Sequence, residues 1–148
     1  MHVPTVDFDM SAEDAVLEYY EALRRGEPLY PYFVESPDAH KVAVSTAYDG
    51  YEAVAAALRE QTRTTTDWVV DSAGPSVVAG DDWASFNDDV SLAWTRTDAP
   101  DREDAGDGPA ADDEAVGHEF ETRWSGTLVE RDDAWLFLEL HVSAPTVV

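Results

Sequence analysis

The strongest constraint on the fold of this chain is its last long segment, HEFETRWSGTLVERDDAWLFLELHVSAP, in which two runs rich in β-branched and aromatic residues flank the turn-forming pair Asp132-Asp133. Pairing about that turn sets Trp124 opposite His141, Leu128 opposite Phe137 and Arg123 opposite Val142. Strict alternation then puts Phe120, Thr122, Trp124, Leu128, Trp135, Phe137, Glu139, His141 and Ser143 on one face. The other face carries Arg123, Ser125, Thr127, Val129, Leu136, Leu138, Leu140 and Val142. Both faces are largely apolar, so the hairpin needs cover on both sides: a helical layer on one, a second subunit on the other.

The helical layer is legible upstream. Ser11 is a good N-cap with Glu13 and Asp14 in the first turn; Val16, Tyr19, Tyr20 and Leu23 recur at helical spacing, and Gly26 stands at the C-terminal stop. Pro28 opens a short turn through Leu29, Tyr30 and Phe33, and a brief strand is expected from Val42 to Ser45. Asp49-Gly50 leads into a second helix on Tyr51, Val54, Ala55 and Leu58, ending near Arg63. Strands are then expected at Trp68–Asp71, Ser76–Ala79, Trp83–Phe86 and Val90–Thr95, with Asn87-Asp88-Asp89 as a polar turn, and at His118–Glu130 and Trp135–Ser143. Helices followed by an antiparallel sheet make an α+β layout.

Charge describes the solvent more than a partner. The formal net charge is -23 over 148 residues, from 19 Asp and 13 Glu against eight Arg and the single Lys41. This is the balance expected of a halophilic archaeal protein, because at molar salt the Debye length shrinks to roughly 3 Å and such a surface no longer repels itself; the alternative is an ordinary acidic mesophile protein with a negative face directed at a partner. The run from Asp98 to Glu114 holds eight acids, one Arg and no large apolar residue. It reads as a solvated, flexible connection (98–117) within one domain spanning 1–148. A calcium loop would use Asp101, Glu103 and Gly106, but Ala105 and Asp112 break the ligand pattern. The absence of basic clusters argues against nucleic acid as a partner. With no Cys there is neither a disulfide framework nor a thiolate site, and the four His are too scattered for a metal. No Gly-rich phosphate loop is present, and no cofactor is expected. MHVPTVDFDM has neither a basic segment nor an apolar run, and no 18-residue apolar stretch occurs, so the expectation is a soluble, cytoplasmic protein without a membrane partner.

The run Arg131-Asp132-Asp133-Ala134-Trp135, an apolar strand, and then His141-Val142-Ser143-Ala144-Pro145 resembles the closing strand of the SnoaL-like branch of the nuclear transport factor 2-like superfamily. It is also similar to the end of the association (hub) domain of calcium/calmodulin-dependent protein kinase II. The layout agrees over roughly residues 11 to 145, with Gly26 closing the first helix, Gly50 opening the later one and Gly80-Asp81-Asp82-Trp83-Ala84 turning into a strand. The resemblance implies a cone-shaped, strongly curved antiparallel or mixed sheet packed against N-terminal helices, a cystatin-like arrangement with a pocket inside and a sheet-to-sheet homodimer outside. It implies no single activity, because relatives include isomerases, dehydratases, cyclases and non-enzymatic domains.

The candidates for a pocket lining are Tyr20, Trp94, Arg123, Trp124 and His141. His141 is either an acid/base or ligand-gripping group beside Trp124 and Glu139, or a structural histidine of the sheet. Arg123 on an apolar strand needs a carboxylate or an anionic ligand. The hub domain has an Arg where this chain has Val142, a departure that puts that anion pocket in doubt, although Arg123, expected opposite Val142, offers a cation by another route. Isomerase-type proton transfer would need a carboxylate, Asp88 or Asp89, with a donor, Tyr19 or Tyr20. No residue is assigned as catalytic. Three functions remain open: binding of a small apolar or weakly anionic molecule, proton-transfer catalysis, and non-catalytic oligomerisation.

The charge reading is testable in one salt series. Lowering KCl from about 3 M to about 0.1 M is expected to lower the melting temperature, and light scattering at about 3 M is expected to read a dimer. An unchanged melting temperature counts against the halophilic reading, and a monomer at high salt against the dimer.

Overall fold

A computed structural model of the chain describes residues 11–43, 46–97 and 118–144, and within them the first element is helix α1, Ala12–Arg25. Its start is a capping box: Ser11 Oγ accepts from the Asp14 amide at 3.1 Å while Asp14 Oδ2 accepts from the Ser11 amide at 3.1 Å. Its end is Gly26 in the left-handed region at φ 71°, where a residue with a Cβ would be strained. The helix buries Val16, Tyr19, Tyr20 and Leu23, as their spacing predicts. A short 3-10 turn, Tyr30–Tyr32, follows.

Strands β1, His40–Val42, and β2, Ala47–Asp49, form a small antiparallel pair. β1 begins earlier than the strand expected at Val42–Ser45; Val44 and Ser45 lie outside the described residues, as does the acidic run 98–117. Helix α2, Tyr51–Thr64, buries Val54, Ala55 and Leu58. It stops where the Thr64 and Thr65 hydroxyls turn back onto the carbonyls of Glu60 and Gln61. The remaining strands are β3, Thr65–Ser72; β4, Ser76–Ala79; β5, Trp83–Arg96; β6, His118–Arg131; and β7, Ala134–Ser143.

The seven strands form one mixed sheet in the order β2-β1-β7-β6-β5-β3, with β4 also on β5. Among the described strands the β1–β7 pairing is parallel and the others are antiparallel, and an isolated parallel bridge joins Phe33 to Phe137. The sheet is curled but unclosed, and both helices lie against its inner face, which confirms the α+β cone. Arg24 ties α1 to the sheet by donating from Nε and Nη2 to the Val70 carbonyl at 3.2 and 2.6 Å. At the centre, the Tyr19 ring meets Phe137, Tyr32, Trp124 and Phe33 edge-on at 5.2 to 6.3 Å.

Two sequence expectations need correction. Asn87-Asp88-Asp89 is not a turn: β5 runs unbroken through it, with Ala84, Phe86, Asp88, Val90 and Leu92 alternating inward. The hairpin register also changes along its length. Asp132 and Asp133 do form the turn, both at positive φ, and Leu128 does face Phe137. Beyond them the register shifts: Thr127 pairs with Glu139, so Leu138 is an extra residue in β7. Trp124 therefore faces Val142, Arg123 faces Ser143, and His141 faces Ser125. The bulge reverses the faces of the distal half of β7. Phe137, Leu140 and Val142 all point into the core, and His141 stands on the outer face.

Gly126 belongs to this irregularity. It pairs with Leu140, and a Cβ there would collide with the Glu139 carbonyl oxygen and crowd Phe86 Cε1 at 3.1 Å. Gly126→Ala is expected to cost about 1 to 3 kcal/mol, read from denaturant unfolding, because backbone must move to admit one methyl. Unchanged stability would show that the β6–β7 approach is looser than this register requires.

Candidate functional site

The inner curl of the sheet does not fill completely. Between α1, α2 and the sheet lies a cavity of about 390 Å³, a size that accepts a small organic molecule. Its walls are set by elements already described: Tyr19 from α1, Tyr48 from β2, Leu58 from α2, Trp68 from β3, Leu92 and Trp94 from β5, Trp124 from β6 and Val142 from β7. Trp68 and Trp94 stack with ring centroids 4.6 Å apart, and the Trp68 Nε1–H donates to Thr65 Oγ1 at 2.8 Å, which fixes that wall. Glu60, Gln61, Thr64, Thr65 and Arg96 supply polar groups where α2 meets β3 and β5.

Lys41 also lines the cavity, and it is the residue that the sequence reading passed over. It is the only lysine of the chain and is 8% exposed. β1 alternates, so Lys41 points inward between half-buried His40 and Val42. It sits opposite Tyr48 across the β1–β2 pair and opposite Leu140 on β7. Among the described residues its side chain makes no hydrogen bond or ion pair. Burial pushes its ammonium down from 10.5 to about 8. The Tyr19 hydroxyl is pushed the opposite way by the same burial, so it stays protonated at any physiological pH.

A second polar group sits deeper. The Tyr20 hydroxyl donates to Asp88 Oδ2 at 2.7 Å, and Ser72 Oγ donates to the same oxygen at 2.5 Å. Asp88 is 5% exposed, and its Oδ1 is buried without a partner among the described residues. Burial, and then the hydrogen bond to Asp88, raise the Tyr20 hydroxyl far above its ordinary range. This is the phenol–carboxylate pairing expected of a proton-transfer site, but neither side chain is on the cavity wall. The Trp124 ring, edge-on to Tyr20 at 5.2 Å, borders both the pair and the cavity.

The five pocket candidates thus separate. Trp94 and Trp124 are on the cavity wall, and Tyr20 is packed against Trp124 and bonded to Asp88. Arg123 stands on the outer face, where Nε donates to Asp89 Oδ1 at 3.2 Å; its side chain is 82% exposed, so the pair contributes little. His141 shares that outer face with Glu139, which lies 3.9 Å from His40 Nε2, and the bulge separates it from Trp124. Among the described residues no cluster of three or more His, Cys, Asp or Glu side chains is placed to hold a metal ion, and no helix is long and apolar enough to cross a membrane.

No family model and no curated protein matches the chain. Solved structures do. A nuclear transport factor 2-like superfamily protein from Salmonella enterica superposes with a TM-score of 0.71 at 14% identity, over 98% of this chain and 95% of that one. A ketosteroid isomerase-like protein from Erwinia carotovora atroseptica gives 0.66 at 14% identity, over 92% and 95%. A candidate calcium/calmodulin-dependent protein kinase II association domain from Xanthomonas campestris gives 0.61 at 18%, over 90% and 86%. At these identities the likeness establishes a nuclear transport factor 2-like fold and no activity.

The buried lysine carries a stability signature. Its unfolded-state value lies above its folded one, so between about pH 8 and about pH 10.4 the unfolded chain binds the extra proton and stability rises with pH. At pH 7 both states hold the proton and the fold bears the full cost of burying it, on the order of 3 kcal/mol. Lys41→Met is therefore expected to raise the melting temperature at pH 7, with the gain shrinking toward pH 10. A variant that melts lower than wild type at pH 7 would show that the ammonium is stabilised in place.

Proposed function

We propose that this protein binds a small, flat, apolar molecule with a polar or weakly anionic end inside its cone. The observation that carries the reading is the open cavity, walled by Tyr19, Tyr48, Trp68, Trp94 and Trp124 around one buried cation. Aromatic walls offer large contact area and stacking faces, and a few fixed polar groups orient what enters. A ketosteroid isomerase-type mechanism needs its carboxylate and phenol against the substrate, whereas Asp88 and Tyr20 lie off the cavity wall.

The outer face supports the homodimer as part of the same reading. Trp83, Val129 and Leu136 are cross-strand neighbours on β5, β6 and β7, and Trp83 remains 46% exposed. A matching row from a second copy would cover them.

Titration with 2-naphthoate, a flat aromatic carboxylate, tests the cavity. Saturable quenching of tryptophan fluorescence is expected. Trp94→Ala is expected to weaken binding about tenfold, the equivalent of about 1.4 kcal/mol. Quenching without saturation, or equal affinity in a folded Trp94→Ala variant, overturns the assignment.

A further inference from the structure

We propose that Lys41 captures carbonyl ligands covalently, its Nζ condensing with an aromatic aldehyde held in the cavity to form an imine. The inference rests on the cavity's being a ligand site and adds the chemical class of ligand it takes.

Four features of the fold point to an amine kept for chemistry. First, the chain uses Arg for eight of its nine basic residues, and its one Lys is inside the cone instead of on the surface. Arg holds its proton permanently and cannot act as a nucleophile, whereas a desolvated Lys can. Second, a lysine buried for structural reasons is expected to be paired, and Lys41 has no carboxylate partner among the described residues. Third, Lys41 is paired with Tyr48 on one side and Leu140 on the other, so the backbone that carries its side chain at the cavity wall is held by regular strand pairing and not by a loop. Fourth, the facing walls carry Tyr19, Trp68, Trp94 and Trp124, whose ring faces suit an aryl aldehyde.

The titratable and charged groups sharing this cavity are Tyr19 from α1, Tyr48 from β2, Glu60 from α2 and Arg96 from β5. Glu60 is already engaged with Arg63 at 2.6 Å, so it does not clamp the amine in its charged form. Burial brings the amine down to about 8, which leaves a usable neutral fraction close to neutrality.

The chemistry balances without an oxidant or reductant. The Nζ lone pair attacks the carbonyl carbon, an N–C bond forms, and the carbonyl π pair moves to oxygen. That oxygen takes one proton from nitrogen to give the carbinolamine. The C–O bond then breaks with its electron pair, the departing oxygen takes the second amine proton and leaves as water, and the nitrogen lone pair closes the C=N bond.

The test uses the full chain with 2-naphthaldehyde at about pH 8, reduction by cyanoborohydride, and mass spectrometry with peptide mapping. One naphthylmethyl group is expected on Lys41, formed at least tenfold faster in the folded protein than in urea. Lys41→Arg is expected to give no adduct on that peptide while still quenching with 2-naphthoate. If this variant does not fold, Lys41→Met takes its place for the loss of the adduct alone, since it also removes the cation that faces the carboxylate. Labelling confined to the N-terminal amine, or labelling of Lys41 no faster in the folded state, overturns the proposal. If saturable quenching by 2-naphthoate persists in that case, the cavity remains a ligand site and only the covalent step is lost. Absence of both overturns both.

Discussion

One extra residue in β7 decides which side chains meet inside this molecule. Without Leu138 as a bulge, the inward row that starts at Phe137 would continue through Glu139 and His141. With it, the inward row continues through Leu140 and Val142, two apolar residues that close the core against Trp124. The consequence reaches the next strand. β1 runs parallel to β7 with Lys41 beside Leu140, so the phase of the bulge is also the phase that turns the lysine inward. Gly126 across the hairpin is the other half of the device, because the Glu139 carbonyl leans where a side chain would be. A bulge also sharpens local twist, which is what a sheet needs in order to curl around a cavity.

The aromatic cluster then divides the interior into a filled part and an open part. Tyr19 is met edge-on by four rings, and this packing holds α1 to the middle of the sheet. Trp124 is the partition: one side borders the Tyr20–Asp88 pair and the other borders the cavity. Its Nε1–H is bound to Thr122 Oγ1 at 3.0 Å, and that hydroxyl donates to the Val90 carbonyl at 2.6 Å, so the partition is fixed from behind. A wall braced in this way suits a preformed site.

Much of this was legible in the sequence, and the failures have physical causes. Caps and turns are local chemistry, so Ser11, Gly26 and Asp132-Asp133 announced themselves. The bulge did not, because an apolar run such as Trp135-Leu136-Phe137-Leu138 fits either face and alternation alone cannot show where the phase slips. That one slip moved His141 outward and Val142 inward. Asp88 was misread for a related reason: three polar residues in a row look like a turn. Only Tyr20 and Ser72, distant in sequence, reveal the inward one as a hydrogen-bonded strand residue. Lys41 offered a signal of another kind, its rarity, which charge counting treated as a property of the surface.

Among the described residues, Asp88 and Lys41 are both buried titratable side chains with incomplete partners, and the difference between them is informative. Asp88 leaves one oxygen bare, but its other oxygen takes two hydrogen bonds and its surroundings are packed. Its role is to lock α1 onto β3 and β5, since Tyr20 and Ser72 reach it from those directions. Lys41 has neither a second anchor nor a filled neighbourhood; the space beside it is the cavity itself. A fold that needed only an inward side chain at this position would be better served by Leu or Met, which carry no charge to desolvate. Structural necessity therefore accounts for Asp88 and not for Lys41. The cost of burying it at β1 is the feature on which the proposed ligand preference of the aromatic cavity rests.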